Sequence, residues 1–578
     1  MLKTRIEEKF IQAFKKAYPS QDLQTLSIEL NRSTHPRFGH YQCNSAMKFT
    51  KILGIPPREI ASQIVENVQA SNHDGVIERL EIAGPGFINV SLSAKYLSEY
   101  CQQMLTCKIP STDKPQRVVI DFSSPNTAKE MHVGHLRSTI IGDCLARLFE
   151  FLGHDVLRLN HIGDWGTAFG MLIAYIQQFD NGILLGEKKC DLTLLVRHYK
   201  AAKKLFDEDA AFKKQAQLAV VALQQGDQHA LKAWQMICEI SRQAYQEIYD
   251  LLDIKLVERG ESFYNPQLAE VVKDCEAKGL VTLSDGAKCI FLEGFVNREG
   301  EPLPFILQKS DGGYNYSTTD LAAIRHRIED EKAKRIIYVV DCGQATHLTM
   351  LFAAAQKAGY LNPKEVKAQH VAFGVVLGPD GKKFKTRSGE VEKLIDLLTT
   401  AISKAQEILT ARNQENNQGL SATQIKDIAE ILGINAVKYS DLSCNRMHDY
   451  TFSYERMLRF EGNTAAFLMY AYVRIHGIKR KAKQVKIDAI KLEHPAEITL
   501  GLHLAQFTEM LDSIAEDLMP NRLCEYLYEL AETFNAFFRD CRVLDVPEQN
   551  QRLALCELTE KVLKHGLEIL GLKTVVIM

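Results

Sequence analysis

No stretch of the 578-residue sequence approaches the roughly 18 consecutive apolar residues of a helical membrane span, and no two cysteines are spaced C-x-x-C. Positive charge is not in excess either: the formal net charge is −2. The first absence predicts no membrane partner. Thirteen cysteines scattered from Cys43 to Cys556 without paired spacing argue against a zinc ribbon or a disulfide framework. No structural zinc is expected, and a reducing cytoplasm fits best. Without a bulk positive field, any nucleic-acid contact has to come from local basic patches. There is also no internal repeat and no low-complexity tract, although "TARNQENNQGLSAT" at 410–423 is polar enough for a loop. The opening "MLKTRIEEKFIQAFKKAYPS" imitates a basic targeting segment. Glu7, Glu8 and the spacing of Leu2, Ile6, Phe10 and Phe14 predict a first core helix instead.

What is present is an ordinary globular composition, 46% hydrophobic and 25% charged, in a chain too long for one core. Residues 1–110 group a helix, a Gly/Pro-bearing middle and an alternating "IERLEIAGPGFINVSLS" that turns at Gly84-Pro85-Gly86. This predicts a small α+β domain, followed by a polar linker at 111–116. From 111 to about 420, "RVVIDFSS", then "KEMHVGHLRSTIIGDCLARLFEFLGH", then "DVLRLNHIGDWG" read as β-α-β. With the right-handed crossover rule they predict a doubly wound, parallel-sheet α/β fold of the Rossmann-like kind. A charged helical stretch at about 171–270 suits an insertion. "KCIFLE", "RIIYVVD" and "HVAFGVVLG" then predict that the same sheet resumes. From about 421 to 578 helix follows helix, predicting an all-α bundle.

The most distinctive run is "PNTAKEMHVGHLRST", residues 125–139. It follows a strand and opens a helix, so its backbone N–H groups and the positive helix end face the carboxyl edge of the sheet, a geometry that binds phosphate. His132 and His135, three apart, share a face, and Gly134 removes a side chain where a base or ribose could approach. A metal pair would need a third ligand and an E-x-x-H or H-E-x-x-H context, which is missing; no metal site is expected. Two histidines on an ordinary amphipathic helix remain the plain alternative, because H-x-G-H alone is a weak match.

The surroundings decide. "SSPNTAKEMHVGHLRSTIIGD" and "LNHIGDWGTAFG" resemble the extended HIGH region of the class I aminoacyl-tRNA synthetases, and among them the arginyl-tRNA synthetase family. The resemblance continues through "EIAGPGFIN", "GPDGKKFKTRSG" and "YSDLSCNRMHDYTFSYERMLRFEGNTAAFLMYAYVRI", and so spans the chain. It implies a HIGH-type catalytic domain with an extra N-terminal domain and a helical anticodon-binding domain. It also implies an activity: arginine and ATP, with Mg2+, give arginyl-adenylate and pyrophosphate, and arginine then moves to the terminal ribose of tRNA(Arg). By the same resemblance His132 and His135 steady the phosphates and ribose, Gly134 makes room for adenine, and no side chain acts as nucleophile.

The class usually carries a mobile K-M-S-K-S loop. Here the matching "KFKTR", residues 383–387, has Phe384 for methionine, Lys385 for the first serine and Thr386 for the second lysine. Lys129 resembles the lysine of those arginyl enzymes that lack the loop lysine, and is expected to supply the charge, with Lys383, Lys385 and Arg387 in support. A planar guanidinium needs a carboxylate in its pocket. Tyr316 and Asp320 stand four apart in "YNYSTTDLAAIRHRI". The resemblance places them with Gln344 around the guanidinium, and Ser124, Asn126 and His135 around the amino and carboxylate end. Asp121 is a weaker candidate.

In the carboxyl-terminal region, Arg474, Lys479, Arg480, Lys481, Lys483 and Lys486 crowd beside Tyr470, Tyr472 and His476. Such a run can track phosphates while aromatics stack on unpaired bases, or it can be a solvated face. Tyr470 and Arg474 are taken as RNA contacts, as are Phe87 and Asn89 after the Gly-Pro-Gly turn, where the family's extra domain reaches the tRNA elbow. The expected active unit is a monomer. A regulatory paralogue would be expected to have lost Lys129, His132, Gly134 or His135. A HIGH-type cytidylyltransferase would need neither Tyr316 and Asp320 nor the long helical end.

Overall fold

The computed structural model describes residues 2–20, 28–107, 112, 114–378, 380–382, 392–417, 419–482 and 489–578. Lys383, Lys385, Arg387, Lys483 and Lys486 lie outside the described residues.

The centre is a five-stranded parallel sheet built from β1 (Arg117–Asp121), β2 (Asp155–Asn160), β3 (Val257–Glu258), β4 (Arg335–Tyr338) and β5 (Lys367–His370). Its order is β5-β4-β1-β2-β3. Counted from the other edge this is 3-2-1-4-5, the doubly wound order, whose direction of winding reverses between β1 and β4. Val118, Val119 and Ile120 of β1 are all buried, as expected for a strand covered on both faces. The helix Val133–Phe151, here the signature helix, leaves β1 and buries Leu136, Ile140, Leu145 and Phe149.

Between β2 and β3 the crossover is occupied by helices spanning Thr167 to Leu251, of which Gln228–Leu251 is the last. After the helix Glu261–Ala277, "KCIFLE" does not rejoin the central sheet as expected. Ala287–Val296 pairs antiparallel with both Thr282–Ser284 and Pro302–Gln308 in a separate three-stranded sheet. The cause is local. Asp285 and Gly286 both take positive φ (48° and 77°), the two-residue turn that folds a strand straight back. "HVAFGVVLG" is also divided: His370 ends β5, while Val376–Leu377 pairs in parallel with Tyr450–Thr451.

The amino-terminal unit is a four-stranded antiparallel sheet, with Phe87–Leu92 between Tyr41–Cys43 and Ile77–Ala83; Pro57–Ser71 packs on its strands and Leu2–Ala17 packs against Pro57–Ser71. Leu2, Ile6, Phe10 and Phe14 are buried together, as their spacing predicts. The unit reaches the carboxyl-terminal helices through Glu509, which accepts from Arg32 Nε (3.2 Å) and from Tyr41 Oη (2.8 Å).

The carboxyl-terminal bundle contains Ala465–Lys481, Pro495–Ala505, Phe507–Asp517, Asn521–Asp540 and Gln549–Ile569. A long helix, Ala422–Leu442, ties it to the sheet domain. There Asp441, fully buried, meets Arg137 of the signature helix at 3.2 Å. Arg137 Nη1 also donates to the carbonyls of Gly374 (2.8 Å) and His448 (3.0 Å).

Candidate active site

Residues 122–132 connect β1 to the signature helix, and the connection is strained. Ser123, Ser124 and Ala128 have φ of 73°, 46° and 60°, left-handed values costing about 1–3 kcal/mol each in non-glycine residues. Such a conformation persists only where surrounding contacts determine it. Ser123 N donates to Ser138 Oγ (2.9 Å), Ser124 N to Asn160 Oδ1 (2.9 Å) and Thr127 N to the Gly163 carbonyl (3.0 Å). A Cβ at Gly163 would sit 2.3 Å from Asn126 Oδ1, so a larger residue there would displace the Asn126 amide.

The two histidines cap the signature helix reciprocally. Gly134 N donates to His132 Nδ1 (3.1 Å), and His132 N donates to His135 Nδ1 (3.1 Å). With Nδ1 accepting on each ring, a neutral imidazole carries its proton on Nε2, which is left as a donor. Burial, reinforced by the charges of His132 and Lys129, pushes His135 down to about 3. Burial and the Lys129 charge lower His132 too. Both rings are therefore neutral donors at physiological pH. A Cβ on Gly134 would lie 2.8 Å from His132 Cε1, so the space this glycine opens is used by the His132 ring itself.

These groups line a cavity of about 690 Å³ beyond the carboxyl ends of β1 and β4, at the switch point of the sheet. One wall carries Ser124, Asn126, His132, Gly134 and His135; Asp320, Gln344 and His347 form another; Phe373–Val376 form a third. Asp320, on the helix Tyr316–Glu329, accepts from His347 Nε2 at 2.6 Å, and His161 Nε2 lies 3.8 Å from its other oxygen. Tyr316 is 60% exposed, outside the cavity lining, with its ring edge-on to His347 at 4.9 Å. Gln344 ends a turn fixed by Asp341, which accepts from Gly343 N at 2.8 Å.

Asp121 faces inward to a buried partner. Its Oδ2 accepts from Arg327 Nη2 at 2.7 Å and its Oδ1 from Ser124 Oγ at 3.0 Å, so it positions Ser124. Lys129 is exposed beside the site, with Nζ 5.8 Å from the Tyr199 ring centre. The described residues that flank the segment with Lys383, Lys385 and Arg387 lie at the site on both sides. Val376 lines the cavity before it, and Leu394 N donates to the Met131 carbonyl (2.9 Å) after it.

Three further residues line the cavity: Arg137 and His161, which stand inside the resembling runs without a role assigned to them, and His347, which belongs to no such run. Glu261 lies in the charged helical stretch, which carries no motif. Burial, and then the charges of Asp320 and Asp164, push Glu261 up to about 7. Glu261, outside the cavity lining, is thus near enough to Asp320 for the two carboxyls to repel one another.

The comparisons with known proteins agree in the order of the domains. Residues 4–92 match the family model for the arginyl tRNA synthetase N terminal domain, residues 100–454 that for class I (R) tRNA synthetases, catalytic domain, and residues 468–578 the DALR anticodon binding domain. The chain is 60% identical over 578 residues to the arginine–tRNA ligase of Protochlamydia amoebophila, covering 98% of both proteins. The chain belongs to the arginyl-tRNA synthetases. The ligase of Chlamydia abortus is 52% identical over 569 residues, covering 97% of each. The solved arginyl-tRNA synthetase of Plasmodium falciparum superposes with a TM-score of 0.87 at 34% identity, covering 100% of this chain and 99% of that one. As a member of this family the protein is an arginine–tRNA ligase of class I, and ATP is its nucleotide.

The RNA candidates separate on burial. Asn89 is 4% exposed and its Oδ1 accepts from Gln42 Nε2 at 2.8 Å, so this synthetase uses it to hold the amino-terminal sheet and does not present it to RNA. Phe87 is half-buried. Tyr470 is exposed, with the Arg474 guanidinium 5.0 Å from its ring centre and bonded to Asn535 Oδ1 (2.7 Å). Tyr472 is buried, and Lys479 pairs with Glu557 and Glu560 of the last helix. Within the described part of the basic run, Lys479 is therefore neutralised internally.

Proposed function

We propose that the synthetase carries out adenylation across the β1/β4 cavity, with nucleotide on the signature-helix wall and arginine against Asp320. The observation that carries this reading is the reciprocal histidine cap: two neutral rings whose free Nε2–H groups stand at a positive helix end, opposite a carboxylate. The arginine carboxylate oxygen attacks the α-phosphorus, forming the acyl–phosphate bond as the bond to pyrophosphate breaks. The protein's part is placement and charge neutralisation. His132 and His135 donate to phosphate and ribose oxygens, and Gly134 keeps the His132 ring seated while the base lies alongside. Lys129 meets the departing pyrophosphate, with Lys383, Lys385 and Arg387, which lie outside the described residues, in supporting roles. Ser124, Asn126 and His135 hold the amino and carboxylate end of arginine. Asp320 takes the guanidinium, with Glu261 near it and Gln344 and Tyr316 at the rim.

Magnesium is read as part of the nucleotide substrate. Among the described residues no cluster of three His, Cys, Asp or Glu could hold a metal, so the phosphates would be its ligands. The active unit is taken to be a monomer. No helix among the described residues is long and apolar enough to cross a membrane. Thirteen free cysteines support a reducing, cytoplasmic setting. Phe87, Tyr470 and Arg474 are the RNA contacts retained.

ATP–pyrophosphate exchange, run with each amino acid and with or without tRNA(Arg), tests the reading. Exchange specific to arginine is expected; exchange with another amino acid, or none under any condition, overturns it. Glu261 adds a pH dependence. An arriving guanidinium favours the carboxylate, so arginine binding below about pH 7 has to expel the Glu261 proton. The dissociation constant for arginine should be about tenfold weaker at pH 6 than at pH 8. Calorimetry in two buffers should show proton release, and Glu261→Gln should abolish both effects.

A further inference from the structure

The helical insertion has so far no part in the reaction, yet its last helix, Gln228–Leu251, presses a row of hydroxyls onto the strained loop. Ser241, Tyr245 and Tyr249 recur every four residues and so share one face; all three are buried. Ser241 Oγ accepts from Ala128 N at 3.0 Å. Tyr245 Oη lies 2.7 Å from both the Asn126 and Lys129 carbonyls. Tyr249 Oη pairs with Ser123 Oγ at 2.8 Å and accepts from Asn160 Nδ2 at 3.2 Å, while Asn160 Oδ1 accepts from Ser124 N. On the same face, Trp234 Nε1 donates to the Asp164 carbonyl at 2.7 Å, holding the loop after β2.

Simple packing would need only apolar groups on this face. Here each hydroxyl lands on or beside one of the left-handed residues Ser123, Ser124 and Ala128, or on the carbonyls that aim Asn126 and Lys129. Burial raises both phenols, so they stay protonated. We infer that Ser241, Tyr245 and Tyr249 form a hydroxyl ladder that sets the catalytic loop: Tyr245 positions Lys129 for the chemical step and Tyr249 positions Ser124 for arginine. These are positioning residues, and the inference rests on the roles proposed above for Lys129 and Ser124.

Tyr245→Phe and Tyr249→Phe keep the rings and remove one oxygen each. In exchange assays with the full chain and tRNA(Arg), Tyr245→Phe should lower kcat roughly ten- to a hundredfold, with KM for arginine and ATP within about twofold. Tyr249→Phe should raise the KM for arginine at least about fivefold while kcat stays near parental. Lys129→Ala combined with Tyr245→Phe should be little slower than Lys129→Ala alone, since both act through one group. A purely structural helix would lower the melting temperature in both variants without that split. Equal changes in kcat and KM, no change, or full additivity with Lys129→Ala would overturn the ladder. If Lys129→Ala is itself near normal, the site reading fails first, and the Tyr249→Phe effect on arginine KM still decides for or against the ladder's arginine arm.

Discussion

Asp320→Asn should raise the KM for arginine by about two orders of magnitude while leaving the KM for ATP within about twofold. Truncating one partner of a desolvated, hydrogen-bonded charge pair costs about 2–5 kcal/mol, much of it from the charge left without a counterpart. At about 3 kcal/mol the factor is roughly 150. Asparagine has the same shape and can still face His347, whose Nε2 lies 2.6 Å from Asp320. The loss therefore reports on charge and not on a collapsed wall. Discrimination against lysine should weaken as well, because the planar fork of the guanidinium is what a carboxylate reads and an ammonium lacks. Steady-state exchange over an arginine titration gives the number. A KM within fivefold of parental would place the guanidinium elsewhere in the cavity.

Lys129→Ala should cut the adenylation rate at saturating ATP by about 10²- to 10³-fold, the range for loss of one preorganised group facing transition-state charge. Thr386 stands where the loop lysine of the class is expected, so the signature supplies no second lysine there. Lys129 itself is exposed and outside the cavity lining, with Nζ near the Tyr199 ring. Reaching a pyrophosphate requires its flexible stem to swing inward, so the loss should fall on kcat and spare the KM for arginine. Single-turnover formation of the adenylate separates the chemical step from product release. A near-normal rate would mean that the loop cations suffice.

Much of the architecture was legible because it is written in local patterns. The apolar run of β1, the 3.6-residue periodicity of the helices and the Gly-Pro-Gly turn each predict one element, and the H-x-G-H motif marks the mouth of the signature helix. Misplacing "KCIFLE" shows the limit of such patterns. A strand's own residues do not say which sheet it joins, and the Asp285-Gly286 reversal that decides it lies before the run. Glu261 and His347 were invisible for a related reason. Each comes near Asp320 only through long-range packing, and neither stands in a motif. The reverse error occurred at Asn89, where a polar residue after an exposed turn proved to be a buried member of the sheet.

The Arg137–Asp441 pair has a consequence for dissecting the protein. A chain cut at the polar stretch near 410–423 would strip a fully buried guanidinium of its counter-charge, at a cost of about 3–5 kcal/mol. It would also remove the His448 carbonyl, which accepts from Arg137 Nη1 alongside the Gly374 carbonyl. The catalytic unit therefore has to extend past Asp441, in keeping with the catalytic-domain match that runs to residue 454. A fragment ending before Asp441 would lack the support for its own nucleotide wall.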